Sequence, residues 1–199
     1  MNRLLEPHKV FQKALAPDDV TMLVNSGPPL GPQPRPGALS ADNAVGTLDQ
    51  TVRSAPNLRS VVVALGTNDI LNGTAVTTIE QKLTALLGFT SPGGLKNTQR
   101  ADGTGSIRVV LTTVRPLGLD PGDRREANRQ QLNNDILQFF KNYGADDVVD
   151  FDKAVRDSGN VAGIAPAYLS GTTPNDAYHD KVAQTLADAV NTFPPGAQL

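Results

Sequence analysis

The 199-residue chain contains no cysteine and no tryptophan, only two histidines, and few aromatic residues overall, at 5%. Zero cysteine excludes a disulfide scaffold, a thiolate-ligated zinc or iron–sulfur site, and a thiol nucleophile. Two imidazoles, His8 and His179, leave little for a multi-histidine metal site, so the sequence implies neither metal nor cofactor. Any histidine-dependent chemistry must use one of these two. There is no basic excess either: 18 Lys and Arg stand against 20 Asp and Glu, a formal charge of -2, which argues against phosphate-driven nucleic-acid binding. No stretch reaches the roughly 20 apolar residues needed to cross a bilayer. The first ten residues, MNRLLEPHKV, carry scattered charges and no apolar core, so they do not read as a signal peptide. The sequence is that of a soluble chain, compatible with the cytoplasm or with a secreted mature form. Its oligomeric state is not encoded in any pattern of residues.

What is present is an alternation of two periodicities. Four short apolar runs read as strands: Val20–Val24, Ser60–Leu65, Ile107–Thr113 and Asp147–Phe151. The middle two are nearly continuous apolar blocks, the pattern of parallel strands covered on both faces. Helical spacing of apolar residues fills Asn2–Leu15, Ser40–Arg53, Thr77–Leu87, Arg124–Tyr143 and Asn175–Val190. Gly88 and Gly144 follow two of these segments as stop signals. Strands alternating with helices predict an α/β sheet protein, and the length suits a single domain over residues 1–199. Two connections stand apart. Gly27–Gly37 packs five Pro and three Gly into eleven residues, and Ser91–Ser106 is polar and glycine-rich.

Open parallel sheets bind ligands beyond the carboxyl ends of their strands. Three such ends carry polar turns: Asn25-Ser26-Gly27, Gly66-Thr67-Asn68-Asp69, and Thr112-Thr113-Val114-Arg115-Pro116. The second is the sharpest. A buried run stops at a glycine, and an asparagine amide follows that can donate to an anionic oxygen. The plainer reading makes Asp69 a turn cap bonding backbone N–H groups. Ser26 reads as a turn residue, Arg115 as a cation able to reach a ligand carboxylate or simply solvated, and Arg124-Arg125-Glu126 as a charged helix start.

The segments VVVALGTNDIL, VTMLVNSG, VVLTTVRPLG, REANRQQLNNDIL, DDVVDFDKAVRD and TPNDAYHDKVAQTLADAV together resemble the SGNH (GDSL-type) hydrolase superfamily over most of the chain. The resemblance implies a flavodoxin-like three-layer α/β/α fold and hydrolysis of carboxylic esters of lipids, acylated sugars or small alcohols. It implies a Ser nucleophile, a His base and an orienting Asp, with Asn68 and a glycine completing the oxyanion hole. Gly27 and Gly31 both compete for that glycine, and spacing favours Gly31.

Two departures weaken the catalytic expectation. No Gly-Asp-Ser occurs in the chain; the family pattern puts that block on a strand upstream of Met1. Two explanations stand, a block carried before this sequence or a relative that has abandoned the triad. The last block is also altered: alignment on Pro174-Asn175-Asp176-Ala177 sets Ser170 at the triad Asp position and Thr173 at the base His position. Neither hydroxyl can serve as a base near neutral pH. A rival reading takes Asp176 and His179 as a displaced Asp-x-x-His dyad; against it, His179 is an ordinary half-buried helix histidine. The function expected is a degenerate or incomplete ester hydrolase. The alternative is a non-catalytic module binding an acyl, glycan or protein partner in the old cleft. With the family's first strand missing, Val20–Val24 should pair directly with Ser60–Leu65 in a four-stranded parallel sheet.

Overall fold

The computed structural model describes residues 20–24, 59–88, 94–100 and 103–192. The expected helices at Asn2–Leu15 and Ser40–Arg53 lie outside these residues, as do His8, Ser26 and the whole Pro-rich connection Gly27–Gly37, with Gly27 and Gly31.

The chain is an α/β protein with a parallel sheet flanked by helices. Strands β1 (Val20–Val24), β2 (Ser60–Ala64), β3 (Arg108–Thr112) and β4 (Asp147–Val149) lie side by side in sequence order. All three pairings are parallel. Val20 pairs with Ser60 and Val24 with Ala64, so β1 and β2 are direct neighbours, as the sequence leads one to expect. Ser60 through Val63 and Val109 through Thr112 are all buried. β-Branched residues dominate because both faces of the sheet are covered and a pleated strand packs them well.

The pleat sends alternate side chains to two separate cores. Val61, Val63, Val109 and Leu111 enter one. There they meet Ile70 of α1 (Thr67–Leu71), Val76, Ile79, Leu83, Leu86 and Leu87 of α2 (Val76–Leu87), and Leu132 and Ile136 of α3 (Arg124–Tyr143). Val62, Val110 and Val149 enter the other. They meet Phe151 and Val155 of α4 (Phe151–Val155) and Val182, Leu186 and Val190 of α5 (Asp176–Asn191). This gives the three-layer arrangement. Burying each such Val, Leu or Ile side chain contributes about 1.5–3 kcal/mol, and truncating Leu111 or Leu132 to Ala would cost about 2–5 kcal/mol.

Beyond shifts of a residue or so at element ends, the structure differs from the sequence expectation in three places. The strand expected at Asp147–Phe151 stops at Val149, because the Asp150 side chain accepts the Lys153 N–H and caps α4. Thr67–Leu71, expected as a turn, forms a helical turn instead. Between the 3-10 turn Pro166–Tyr168 and α5, a two-stranded antiparallel ribbon joins β5 (Leu169–Ser170) to β6 (Thr173–Pro174). Asp123, which precedes α3, accepts from the Arg125 N–H at 2.8 Å and is its N-cap.

Candidate functional site

The sequence-predicted site begins where β2 ends. Gly66 takes a left-handed conformation, φ 111°, and starts α1. A Cβ here would sit 3.0 Å from Val114 Cγ2 and 3.3 Å from Leu132 Cδ2, so glycine is required by conformation and by close approach. The contact also locates the site: the exit of β2 lies directly against the exit of β3. Asn68 is half-buried in α1. Its backbone oxygen accepts from Asn72 N at 2.9 Å, and its carboxamide makes no hydrogen bond among the described residues. Asp69 is 2% exposed and bonds no backbone N–H among the described residues. Instead its Oδ1 lies 3.4 Å from Lys82 Nζ on α2, and Oδ2 has no partner among the described residues.

The exit of β3 is fixed by a buried polar network that includes Glu126, which is a buried ion-pair partner and not simply part of a charged helix start. Asn133 grips one residue twice: Val114 N–H donates to its Oδ1 at 2.7 Å, and its Nδ2 donates to Val114 O at 2.8 Å. Beside it Arg129, with no exposed surface, makes five donated bonds. Nε and Nη2 clasp both oxygens of buried Glu126 at 2.8 and 2.6 Å. Nη1 donates to Val114 O at 3.0 Å and to Asp152 Oδ1 at 2.5 Å, and Nη2 to Val161 O at 2.9 Å. Arg156 closes on the other Asp152 oxygen at 3.1 Å. Burial pushes the Asp152 carboxyl above its ordinary value, against the opposing pull of Arg129 and Arg156. For Arg129, burial is outweighed by the two carboxylates, which hold the guanidinium more firmly protonated. Thr113 bridges to the next strand, donating to Asp150 Oδ1 and accepting from Asp152 N–H, both at 2.9 Å. A signal for this network does exist in the sequence. Glu126, Arg129, Asn133 and Ile136 fall three and four apart, so the polar residues extend the buried stripe of α3.

The altered last block lies on the opposite side of the sheet. Ser170 and Thr173 face each other across the ribbon, and both are exposed. Asn175 caps α5, its side chain accepting from Tyr178 N–H at 3.1 Å. Asp176 is exposed and His179 half-buried in the first turns of α5, and the structure forms neither a hydrogen bond nor an ion pair between them. The His179 ring instead stands edge-on to Tyr178, centroids 5.3 Å apart. Tyr178 packs into the core that holds Val62, Val110 and Phe151. Burial raises its phenol above the ordinary value, while the nearby Arg115 charge works the other way.

No family model matches the chain, and no curated protein matches it. Among solved structures it is similar to LAE5, described as an alpha/beta hydrolase enzyme from the metagenome of Lake Arreo, Spain. The fold is hydrolase-like. The likeness has a TM-score of 0.52 at 16% identity, spanning 76% of this chain and 67% of that one.

On this hydrolase-like scaffold the strand ends bring Asn68, Arg115 and Asp150 to one edge of the sheet. Among the described residues no group of three or more His, Asp or Glu side chains could hold a metal ion, and no helix is long and apolar enough to cross a membrane. The chemistry this edge offers is hydrogen-bond donation to a carbonyl or anionic oxygen, from Asn68 and the Arg115 guanidinium.

Proposed function

We propose that the chain is a relative of the SGNH (GDSL-type) hydrolases that recognises a carboxylic ester or acyl group at the carboxyl ends of β2 and β3. In this reading it has lost the Ser-His-Asp route to hydrolysing that group. The observation carrying the reading is Asn68. Its half-buried carboxamide stands two residues beyond the glycine that ends β2, with no intramolecular bond among the described residues to compete with a ligand oxygen. A free amide at that place suits a carbonyl oxygen or oxyanion. Gly31, outside the described residues, is the proposed second donor. Ser170 and Thr173, at the positions where the family pattern has its Asp and His, lie in an exposed ribbon. Hydroxyls there orient no imidazole and accept no proton from a nucleophile. The protein then acts as an acyl- or ester-binding module built on a hydrolase scaffold.

If hydrolysis survives, His179 oriented by Asp176 is the base left to this chain's described residues. Two measurements separate these outcomes: labelling with a serine-directed fluorophosphonate, and turnover of p-nitrophenyl acetate by the wild type and by His179→Ala. The proposed reading expects no labelled serine and equal background rates. Labelling, or turnover that His179→Ala abolishes, would overturn the loss of the triad.

A further inference from the structure

The turn that closes α1 holds the chain's one Asn-Gly pair, Asn72-Gly73. Both residues are exposed. Gly73 sits at φ 74°, and a Cβ added there would meet nothing within 4 Å, so the space beside its backbone is open. Three successive N–H groups tie the turn back to α1: Asn72 donates to Asn68 O, Gly73 to Ile70 O and Thr74 to Asp69 O, each at 2.9 Å. Asn72 itself is held at φ -78°, ψ -3°. The peptide nitrogen that follows an asparagine can close a five-membered ring on the side-chain carbon Cγ. A glycine nitrogen closes it most readily, because no Cβ crowds the approach. The folded turn brakes this reaction without blocking it. Ring closure needs the Gly73 N–H released from Ile70 O and a large rotation of Asn72 ψ. Both amount to fraying the last turn of a five-residue helix at an exposed end, a local opening far easier than global unfolding.

We infer that Asn72 is a site of spontaneous deamidation, with water as the co-reactant. A base in solvent takes the Gly73 N–H proton, and the nitrogen attacks Asn72 Cγ. The Cγ–Nδ2 bond breaks, and Nδ2 leaves, protonated, as ammonia. Water then opens the succinimide at either carbonyl: at Cγ it gives aspartate, and at the backbone carbonyl carbon it gives isoaspartate. Nothing is oxidised or reduced, and the net change is an amide exchanged for an acid. Isoaspartate routes the main chain through Cβ and Cγ, which adds a methylene between the Cα of residue 72 and Gly73. The N–H groups of Gly73 and Thr74 are thereby displaced from Ile70 O and Asp69 O. Both products also set a carboxylate where the turn had a neutral amide. The modification loosens the end of the helix that carries Asn68 and Asp69, and it stands independently of the ester-cleft reading.

The test ages the intact chain in mildly alkaline buffer, with a second sample in guanidinium chloride, and maps the peptides by mass spectrometry. Protein isoaspartate methyltransferase labels the isoaspartate. Deamidation should appear at Asn72 ahead of the other asparagines, with isoaspartate among its products. The folded sample should react about five- to tenfold more slowly than the denatured one, as breaking one hydrogen bond before each attack predicts. In guanidinium chloride, where the turn plays no part, Gly73→Ala should react several-fold more slowly than wild type, because its methyl crowds the nitrogen. Hydrogen exchange at Gly73 and Thr74 should quicken in aged wild type but not in aged Asn72→Gln, whose longer side chain would have to close a larger, slower-forming ring. No isoaspartate at Asn72, or earlier modification of another asparagine, would overturn the assignment. Equal rates in the folded and denatured samples would overturn the control of the reaction by the turn. Unchanged exchange after modification would overturn the loosening of α1.

Discussion

Arg129→Met removes the centre of the buried network while keeping much of the volume. Five hydrogen bonds go with it. The carboxylates of Glu126, fully buried, and Asp152, 6% exposed, remain. Breaking a buried ion pair from one side costs about 3–5 kcal/mol because the remaining charge is left uncompensated. Arg156 still reaches Asp152, so most of the penalty falls on Glu126 and on the carbonyls of Val114 and Val161. An expected loss of about 4 kcal/mol is a large part of a typical domain's 5–15 kcal/mol. With a urea slope near 2 kcal/mol per molar, the unfolding midpoint should fall by about 2 M with the slope unchanged. The pH dependence carries an independent sign. Burial already raises the Asp152 carboxyl, and without the opposing pull of Arg129 it holds its proton more tightly folded than unfolded, so the deficit should shrink as pH falls toward and below the ordinary carboxyl range. Adding Glu126→Gln and Asp152→Asn to Arg129→Met should restore part of the loss at neutral pH. A midpoint within about 0.5 M of wild type, which is about 1 kcal/mol at that slope, would refute the network as a clamp. So would a triple variant no better than the single one.

Two further substitutions test the local geometry. Gly66→Ala and Gly73→Ala both put an L side chain at positive φ, 111° and 74°, but a Cβ at Gly73 meets nothing within 4 Å. Gly73→Ala should therefore cost about 1 kcal/mol and Gly66→Ala, which also pushes on Val114 and Leu132, about 2–3 kcal/mol; equal thermal midpoints would contradict this. Tyr143 donates to Glu80 Oε1 at 2.8 Å, and burial, followed by this bond, raises its phenol from the ordinary 10.0. The folded state thus favours the protonated phenol, giving stability present below pH 10.0 and lost as pH rises above it. Tyr143→Phe should cost about 1 kcal/mol at neutral pH and show a shallower alkaline loss of stability in urea titrations.

The legible part of the sequence was whatever repeats over several turns or pleats. Val20–Val24 and Arg124–Tyr143 form the elements expected of them, and the other two long helices and the two central strands shift by a residue or two at their ends. Burial of regular apolar faces dominates their free energy and leaves a period. The five-residue α1, the two-residue strands of the ribbon and the early stop of β4 fall below any period. They depend on single events: a left-handed Gly66, a turn at Gly171, and an aspartate that caps a helix rather than extending a strand. Arg129 was illegible for a different reason. Helical spacing places it on the inner face of α3, whereas charged side chains are ordinarily solvated. Only the arrival of Asp152 from a segment 23 residues away decides between them.

That decision bears on the candidate site. Asn133 and Arg129 hold the Val114 peptide from one side, and Gly66 presses against it from another. The exits of β2 and β3 are therefore tied to a single buried residue, hydrogen-bonded by Asn133 and by Arg129, which in turn pairs with Glu126 of α3 and Asp152 of α4. Asn68 lies two residues from Gly66, and Arg115 directly follows Val114. Neither can shift far unless the buried network opens, which by the estimate above costs several kcal/mol. On the proposed reading, donors fixed in this way hold a ligand's oxygens in place, while Ser170 and Thr173 lie on an exposed ribbon. That is the property ester hydrolysis and ester binding share, and only the second can persist without a nucleophile and a base.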